Sequence, residues 1–397
     1  MIEQFQAENY KALQKVTVAL AKLTVVVGPN GGGKTSLLEG MYLLGQLVRS
    51  GAEHVFDCER YALSAVHRSR ADGPMRLGFV TRRSTLEFTS HWTTKSHPRT
   101  PSEEVHDAQW SYALKASVKR RTGSSAITLQ SRPPETGGRP HDAPKVIEDY
   151  VSPLGSVELL QFDATRLAAP SYSNEEVPRL EADGNGLASV LAFIRLTDLD
   201  RFNAIESALG LVVPSIKAVR FRRQKILREE YEQELAGTLK IPRQRIVHQY
   251  TGDALLFDTT SGDALPAAAC SEGTLIVLGL LTAVLGPQQP RLILLDDIDR
   301  ALHPLAQERL VDQLRGFLAQ FPNLQIVATS HSPFLLDHLK SDEVRITNIN
   351  NDGTVTVGRL DEHNKFARWK DEMTPGEFWS MVGEKWLSQA PAATVNE

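Results

Sequence analysis

Two kinds of hydrophobic pattern divide the chain. In the first quarter and the last third, short apolar runs alternate with stretches of helical period. Leu23 to Val27 is an unbroken apolar, β-branched run, as expected of a buried strand. Ser36-Leu-Leu-Glu-Gly-Met-Tyr-Leu-Leu follows, with an apolar stripe at Leu37, Met41 and Leu44 that predicts a helix. Before them, Phe5–Leu13 and Val16–Leu20 read as two strands. The last third predicts helix over 273–285, strand over 291–296, helix over 304–320, strand over 324–329 and helix over 333–339. Such βα alternation implies a mostly parallel sheet.

The middle of the chain differs. From about 75 to 130 the apolar positions alternate with polar ones, as in Ser84-Thr-Leu-Glu-Phe-Thr and Trp110-Ser-Tyr-Ala-Leu, which predicts an antiparallel sheet. Two polar, proline-bearing stretches, 94–107 and 131–145, are expected as mobile surface loops. Val157–Phe162 predicts a further strand. Residues 185–209 have helical period, with Leu187, Val190, Leu191 and Ile194 on one face. Residues 216–223 alternate as a strand, Leu227 to Leu239 returns to helix, and 245–258 reads as a hairpin turning at Gly252-Asp253.

Composition narrows the class. A chain of 397 residues that is 41% hydrophobic can bury a sizeable core, as one large α/β domain with an insertion or as two domains. The net charge of −4 argues against a protein that coats nucleic acid, though not against a local basic patch. The two cysteines, Cys58 and Cys270, are far apart, which excludes a cysteine zinc site and a disulfide scaffold and suits a reducing compartment. Without a signal pattern at Met1–Glu8 or an apolar run long enough to span a bilayer, the expectation is a cytoplasmic protein with no membrane partner.

The strongest chemical signal is Gly28-Pro-Asn30-Gly31-Gly-Gly33-Lys34-Thr35-Ser36, between the buried strand and the helix. It fits the phosphate-binding P-loop. Glycines let the backbone approach phosphate oxygens, and the helix N-terminus favours the anion. Lys34 is placed for the β- and γ-phosphates, and Thr35 for Mg²⁺. Leu292-Ile-Leu-Leu-Asp296-Asp297 is the second signal: an apolar strand ending in acids. Asp296 is the candidate metal aspartate, and Asp297 the candidate that orients or deprotonates water. An Asp-x-Asp metal site of Asp297 and Asp299 is the alternative. Ser271-Glu-Gly273-Thr274 opens a helix and makes a second anion site, or simply an N-cap. A further strand ends in Thr-Ser-His331.

Taken in this order, the motifs resemble those of ABC-type ATPases of the RecF, SMC and OLD kind, and of relatives called AAA family ATPases. The resemblance covers most of residues 1–385. It implies that His331 is the switch histidine at the γ-phosphate and that Ser271, Gly273 and Thr274 are the signature motif. It also implies that Gln161 is the glutamine sensing Mg²⁺, and that Lys11, in Asn9-Tyr10-Lys11, lies near the nucleotide. Leu302-His303-Pro304 resembles the D-loop region, with His303 where transporter-type relatives have Asp. Long coiled-coil arms and a zinc hook are lacking in the pattern, and the stretch after His338 is too short for the TOPRIM nuclease domain of OLD proteins.

The expected fold is therefore an α/β P-loop NTPase of ABC-ATPase type: a mixed, mainly parallel sheet with an antiparallel β insertion and a small helical subdomain. Its expected parts are a P-loop half (1–50), the β insertion (67–150), the helical subdomain (185–240) and a half with signature, acidic strand and switch histidine (265–345), in one head over 1–397. The cofactors implied are ATP and Mg²⁺. Two copies are expected to sandwich ATP, the signature of one meeting the P-loop of the other. The leading expectation is an ATPase that regulates a separately encoded effector, such as a nuclease or toxin in phage defence. A RecF-like DNA-maintenance ATPase and a nucleotide-gated scaffold with negligible turnover are the alternatives. For direct DNA contact the candidates are Arg220, Arg222 and Arg223, whose alternative is a solvated edge.

Overall fold

The computed structural model describes residues 1–50, 55, 74–81, 84–100, 103–120, 123–131, 156–232, 235–236, 239–240 and 244–388. In chain order the elements begin with β1 (Ile2–Tyr10), β2 (Leu13–Ala19), β3 (Leu23–Val27) and α1 (Lys34–Ser50). Then come β4 (Met75–Thr81), β5 (Ser84–Thr100), β6 (Glu103–Arg120), β7 (Gly123–Ser131) and β8 (Val157–Leu160). Next are α2 (Ala164–Ala168), α3 (Leu187–Thr197), α4 (Leu199–Val212) and β9 (Ile216–Glu232). Two short strands, β10 (Leu235–Ala236) and β11 (Leu239–Lys240), precede β12 (Gln244–Thr259) and β13 (Leu265–Pro266). The last third runs α5 (Glu272–Leu285), β14 (Leu292–Leu295), α6 (Pro304–Gln320), β15 (Gln325–Thr329) and α7 (Pro333–Asp337). It closes with β16 (Val344–Ile349), β17 (Val355–Arg359), α8 (Phe366–Trp369) and α9 (Pro375–Val382).

The chain forms two compact units. The first comprises Met1–Leu159, Pro290–Asp299 and Leu314–Glu397; the second comprises Leu160–Gln289 and Arg300–Gln313. In the first, a six-stranded sheet has the order β17-β16-β3-β15-β14-β8. The pairs β16·β3, β3·β15 and β15·β14 are parallel and β16·β17 is antiparallel, so the sheet is mixed and mainly parallel, as expected. A six-stranded antiparallel sheet has the order β2-β1-β4-β5-β6-β7. Leu37, Leu38, Met41, Leu43, Leu44 and Leu47 of α1 share one core with Phe5, Leu13 and Phe79 of this sheet and with Val26, Leu294 and Val327 of the parallel one. The stripe read from sequence was therefore only part of the buried surface, because α1 is covered by both sheets. Truncating one such leucine to alanine costs about 2–5 kcal/mol.

One expectation fails in the antiparallel part. The stretch 94–107 is not a loop: β5 and β6 pair continuously from Ser84↔Val118 to Thr100↔Glu103, with a register shift at Pro98. Backbone ladder bonds suffice to extend a hairpin where the apolar alternation has ceased. The other expected loop, 131–145, lies outside the described residues from 132 onward.

In the second unit, α3 and α4 form the helical part. The expected return to helix over 227–239 is also overturned. β9 runs on to Glu232 and pairs with β12 through Leu227↔Gln249 and Glu232↔Gln244. The helix propensity of Leu, Arg and Glu is weaker than a long cross-strand ladder. The subdomain over 185–240 is thus helical only through Val212. Nor is 245–258 a hairpin, since β12 is one strand through Gly252 and Asp253. Gly252 is there for close approach: a Cβ would lie 2.3 Å from Ser171 O, where Ser171 bridges to Asp253. Helix α5 is buried on nearly all sides from Gly273 to Leu285, so it is an interior helix of this unit.

At the end of the first unit His363 is buried edge-on between Phe378 and Trp386, with ring centroids at 5.3 and 4.9 Å. Its Nδ1 accepts the Lys365 N–H at 3.1 Å, which requires an unprotonated Nδ1. Burial, with a smaller contribution from Lys365, holds its pKa below the ordinary value of about 6.5. The folded chain then binds fewer protons here than the unfolded chain. Stability from this site is complete above the unfolded pKa and is lost as pH falls through the folded one. The variant His363→Asn keeps an acceptor but does not titrate. In thermal melts from pH 8 to 5, the stability gap between wild type and variant should narrow as pH falls; a constant gap would contradict the assignment.

Candidate functional site

The site is built at the ends of β3, β14 and β15 in the first unit. β3 is buried along its length, and the chain leaves it at Gly28 to enter the loop before α1. Gly28 and Gly33 have φ of +149° and +81°. A Cβ on Gly28 would lie 2.3 Å from Thr347 Oγ1, and one on Gly33 3.1–3.2 Å from Val355 and Leu13. The loop therefore packs against β16 and β17 in a form side chains would break. The Gly32 N–H donates to Pro29 O at 3.0 Å, which closes the turn. Asn30 and Gly31 are exposed at its tip, Thr35 is exposed at the start of α1, and Ser36 is half-buried beside it.

Lys34 is buried, and its Nζ donates to the Gly28 and Pro29 carbonyls at 3.0 and 2.9 Å. Burial lowers its pKa; Asp297, Asp296, Asp299 and Glu384 oppose that shift. The ammonium is thus held in the loop and faces an acidic cluster.

Thr35 Oγ1 donates to Asp296 Oδ2 at 3.1 Å. This joins the P-loop helix to the end of β14, across a sequence separation of 261 residues. Thr329, the last residue of β15, donates from Oγ1 to Asp296 Oδ1 at 2.6 Å. The same oxygen accepts the Asp297 N–H at 2.8 Å, and the Thr329 carbonyl accepts the Ile298 N–H at 3.0 Å. Asp297 has a φ of +53°, a left-handed conformation that costs a non-glycine residue roughly 1–2 kcal/mol. Its carboxylate is 4.0 Å from His331 Nε2. Burial first, then Asp296, pushes the Asp297 pKa up, while His331 and Lys34 act the other way. The His331 N–H donates to Asp299 Oδ1 at 3.3 Å, so Asp299 is engaged by the segment that follows β15.

Lys34, Thr35, Asp296, Asp297 and His331 are therefore brought together. Among the described residues no group of three or more His, Cys, Asp or Glu side chains is arranged to hold a metal. The hydroxyl of Thr35 and the carboxylate of Asp296 are hard oxygen donors at one point and fit Mg²⁺, which also takes ligands from phosphates and water. Lys11 pairs through its ammonium with Glu39 of α1 at 2.5 Å. Thr329 was missed in the sequence; the available signal was a polar residue ending an apolar strand that neighbours the acidic one.

The remaining candidates lie in the second unit. Ser271 caps α5, its Oγ accepting the Thr274 N–H at 3.3 Å and sharing a 2.7 Å hydrogen bond with Thr274 Oγ1. A Cβ on Gly273 would lie 2.5 Å from Ala301 O, so the helix start is seated against the segment after the acids. Arg300 pairs with Glu272 at 2.7 Å across the same junction. Ser271, Gly273 and Thr274 share a cavity of about 270 Å³ with His303 and Arg309. Gln161 has an exposed side chain, and its N–H donates to Ala182 O at 2.8 Å. Of the arginine strip, Arg220 pairs with Asp258, and Arg223 pairs with Asp253 at 3.0 Å. Arg222 projects from β9 as an exposed cation. Two of the three candidate DNA contacts thus pair with carboxylates of β12 while their side chains stay largely exposed.

Among the described residues no helix is long and apolar enough to cross a membrane. Residues 23–337 match the family described as "AAA domain, putative AbiEii toxin, Type IV TA system". A curated relative, "Retron Vc95 probable ATPase" of Vibrio cholerae serotype O1 biovar El Tor, is 25% identical over 134 residues, covering 32% of this chain and 26% of that protein. Among solved structures, the SMC head bound to the C-winged helix domain of ScpA is 15% identical with a TM-score of 0.47, covering 92% of this chain and 99% of that one. The SMC head domain from Thermotoga maritima is 11% identical with a TM-score of 0.39, covering 90% and 98%. With its P-loop, acidic strand and mixed sheet, the chain has the fold of an α/β P-loop NTPase, and it belongs to this AAA-domain family.

Proposed function

We propose that the protein binds and hydrolyses ATP, closes as a homodimer around the nucleotide, and through that closure regulates a separately encoded effector. The observation that carries the ATPase part is the bond from Thr35 to Asp296, which joins P-loop and acidic strand in one oxygen-donor site beside Lys34. Lys34 would neutralise the β- and γ-phosphates. Thr35 and Asp296 would hold Mg²⁺, which supplies charge neutralisation of the phosphates. Asp297 would accept a proton from water or orient it, and His331 would stabilise the γ-phosphate. Gln161 would sense Mg²⁺, and the backbone from Asn30 to Ser36 would cradle the phosphates. The kinship with a retron ATPase and the family description support a setting in defence. The ion pairs of Arg220 and Arg223 favour this reading over a DNA-binding one, in which those side chains would have to exchange partners.

Dimer closure rests on Ser271, which would meet the nucleotide held by Lys34 of the second copy. Its exposed position at the start of α5 suits that role. Sizing chromatography with ATP and Mg²⁺ should show wild-type dimers, and Ser271→Arg should remain monomeric while still binding ATP. A variant that still dimerises would overturn the trans arrangement.

The turnover is expected to be slow. Relatives of the resembled kind usually carry Glu where Asp297 stands, and Asp is shorter by roughly one carbon–carbon bond, about 1.5 Å. A base must lie within hydrogen-bond reach of its water, and a misplacement of ~1 Å costs on the order of 100-fold. Asp297→Glu should therefore speed single-turnover hydrolysis, giving a wild-type dimer whose ATP-bound state is long-lived. If wild type turns over briskly and Asp297→Glu slows it, the aspartate is an adapted base and the gate-like account fails.

A further inference from the structure

Three successive residues at the end of the acidic strand depend on one threonine. Thr329 donates to Asp296 Oδ1, accepts from the Asp297 N–H and, through its carbonyl, accepts from the Ile298 N–H. Its side chain is fully buried, so solvent cannot replace the hydroxyl. Its neighbour Ser330 donates its N–H to Val26 O at 3.1 Å, which ties this strand end to the strand that enters the P-loop. Asp296 accepts from two hydroxyls, Thr35 and Thr329. The first is exposed and is itself a candidate metal ligand; the second is not accessible to nucleotide. Asp297 has the further requirement of a left-handed backbone, and its N–H is aimed at the Thr329 oxygen.

We propose that Thr329 is a positioning residue for the hydrolytic centre: its single hydroxyl orients the metal aspartate and fixes the backbone turn that presents Asp297. The inference rests on the reading of Asp296 and Asp297 given above. A hydroxyl is the group that can perform both tasks at once, because it donates and accepts through one atom. Valine has the same shape but can do neither. Serine keeps the oxygen and loses only a methyl group. Outer partners that orient a metal-binding carboxylate are typically worth 10–100-fold in metal affinity or activity.

The test compares wild type, Thr329→Val and Thr329→Ser. A fluorescent ATP analogue is titrated in EDTA and then at increasing Mg²⁺, and single-turnover hydrolysis is measured alongside. Thr329→Val should bind the analogue in EDTA as wild type does. It should need about 10–100-fold more Mg²⁺ for half-maximal tightening, and hydrolyse more slowly by a similar factor. Thr329→Ser should restore both toward wild type. Thr329→Ala, which also lacks the hydroxyl, stands in if the valine variant does not fold. Wild-type Mg²⁺ dependence in Thr329→Val overturns the inference, as does an equal loss in Thr329→Ser, which would assign the effect to packing. A wild type that binds the analogue neither in EDTA nor with Mg²⁺ would instead overturn the ATP-site reading itself.

Discussion

The burial of α1 between two sheets is the constraint on which the geometry of the candidate site depends. Leu37, Leu38, Met41 and Leu44 are fully buried, against β1 and β4 on one side and β14 and β15 on the other. That packing fixes the direction of the helix, and its first residues are Lys34 and Thr35. A helix whose N-terminus is held this firmly presents its free N–H groups as a preorganised anion site. Preorganisation matters because donors already in place need no rearrangement as charge develops in the transition state. The hydrophobic core is in this sense part of the phosphate site.

The same packing sets up an electrostatic conflict. Asp296, Asp297 and Asp299 raise the pKa of Lys34 against the pull of burial, and Asp296 and Asp299 add to the burial that raises the pKa of Asp297. Like charges crowded at a strand end cost energy unless cations or hydrogen-bond donors meet them. Here Thr35, Thr329, Lys34 and the His331 N–H meet them. A nucleotide with its magnesium would bring further charges of both signs to a centre already charged. Strain at Asp297 belongs to the same account, since left-handed backbone is retained only where its surroundings hold it.

Much of this was legible in the chain because the motifs combine local order with unusual composition. The P-loop lies between an unbroken apolar strand and an amphipathic helix, and the structure has β3 and α1 there. The acids at the end of Leu292–Leu295 and the histidine after β15 were found the same way. The misreadings share one cause: signals that depend on distant partners. Gly252 read as a turn, yet it is glycine because the Ser171 backbone passes close by. Leu227 to Glu232 read as helix because the partner strand β12, of 16 residues, could not be seen. Thr329 went unnoticed because its importance lies in bonds to residues some thirty positions earlier, which no local pattern records.

The central claim is that Lys34 and its loop bind nucleotide phosphate. Isothermal calorimetry of ATP with Mg²⁺ on wild type and Lys34→Ala tests it most directly. Removing the buried cation from a preorganised anion site should abolish tight binding while the fold, held by α1 and the two sheets, keeps its cooperative melt. Binding by Lys34→Ala at the wild-type level would contradict the account.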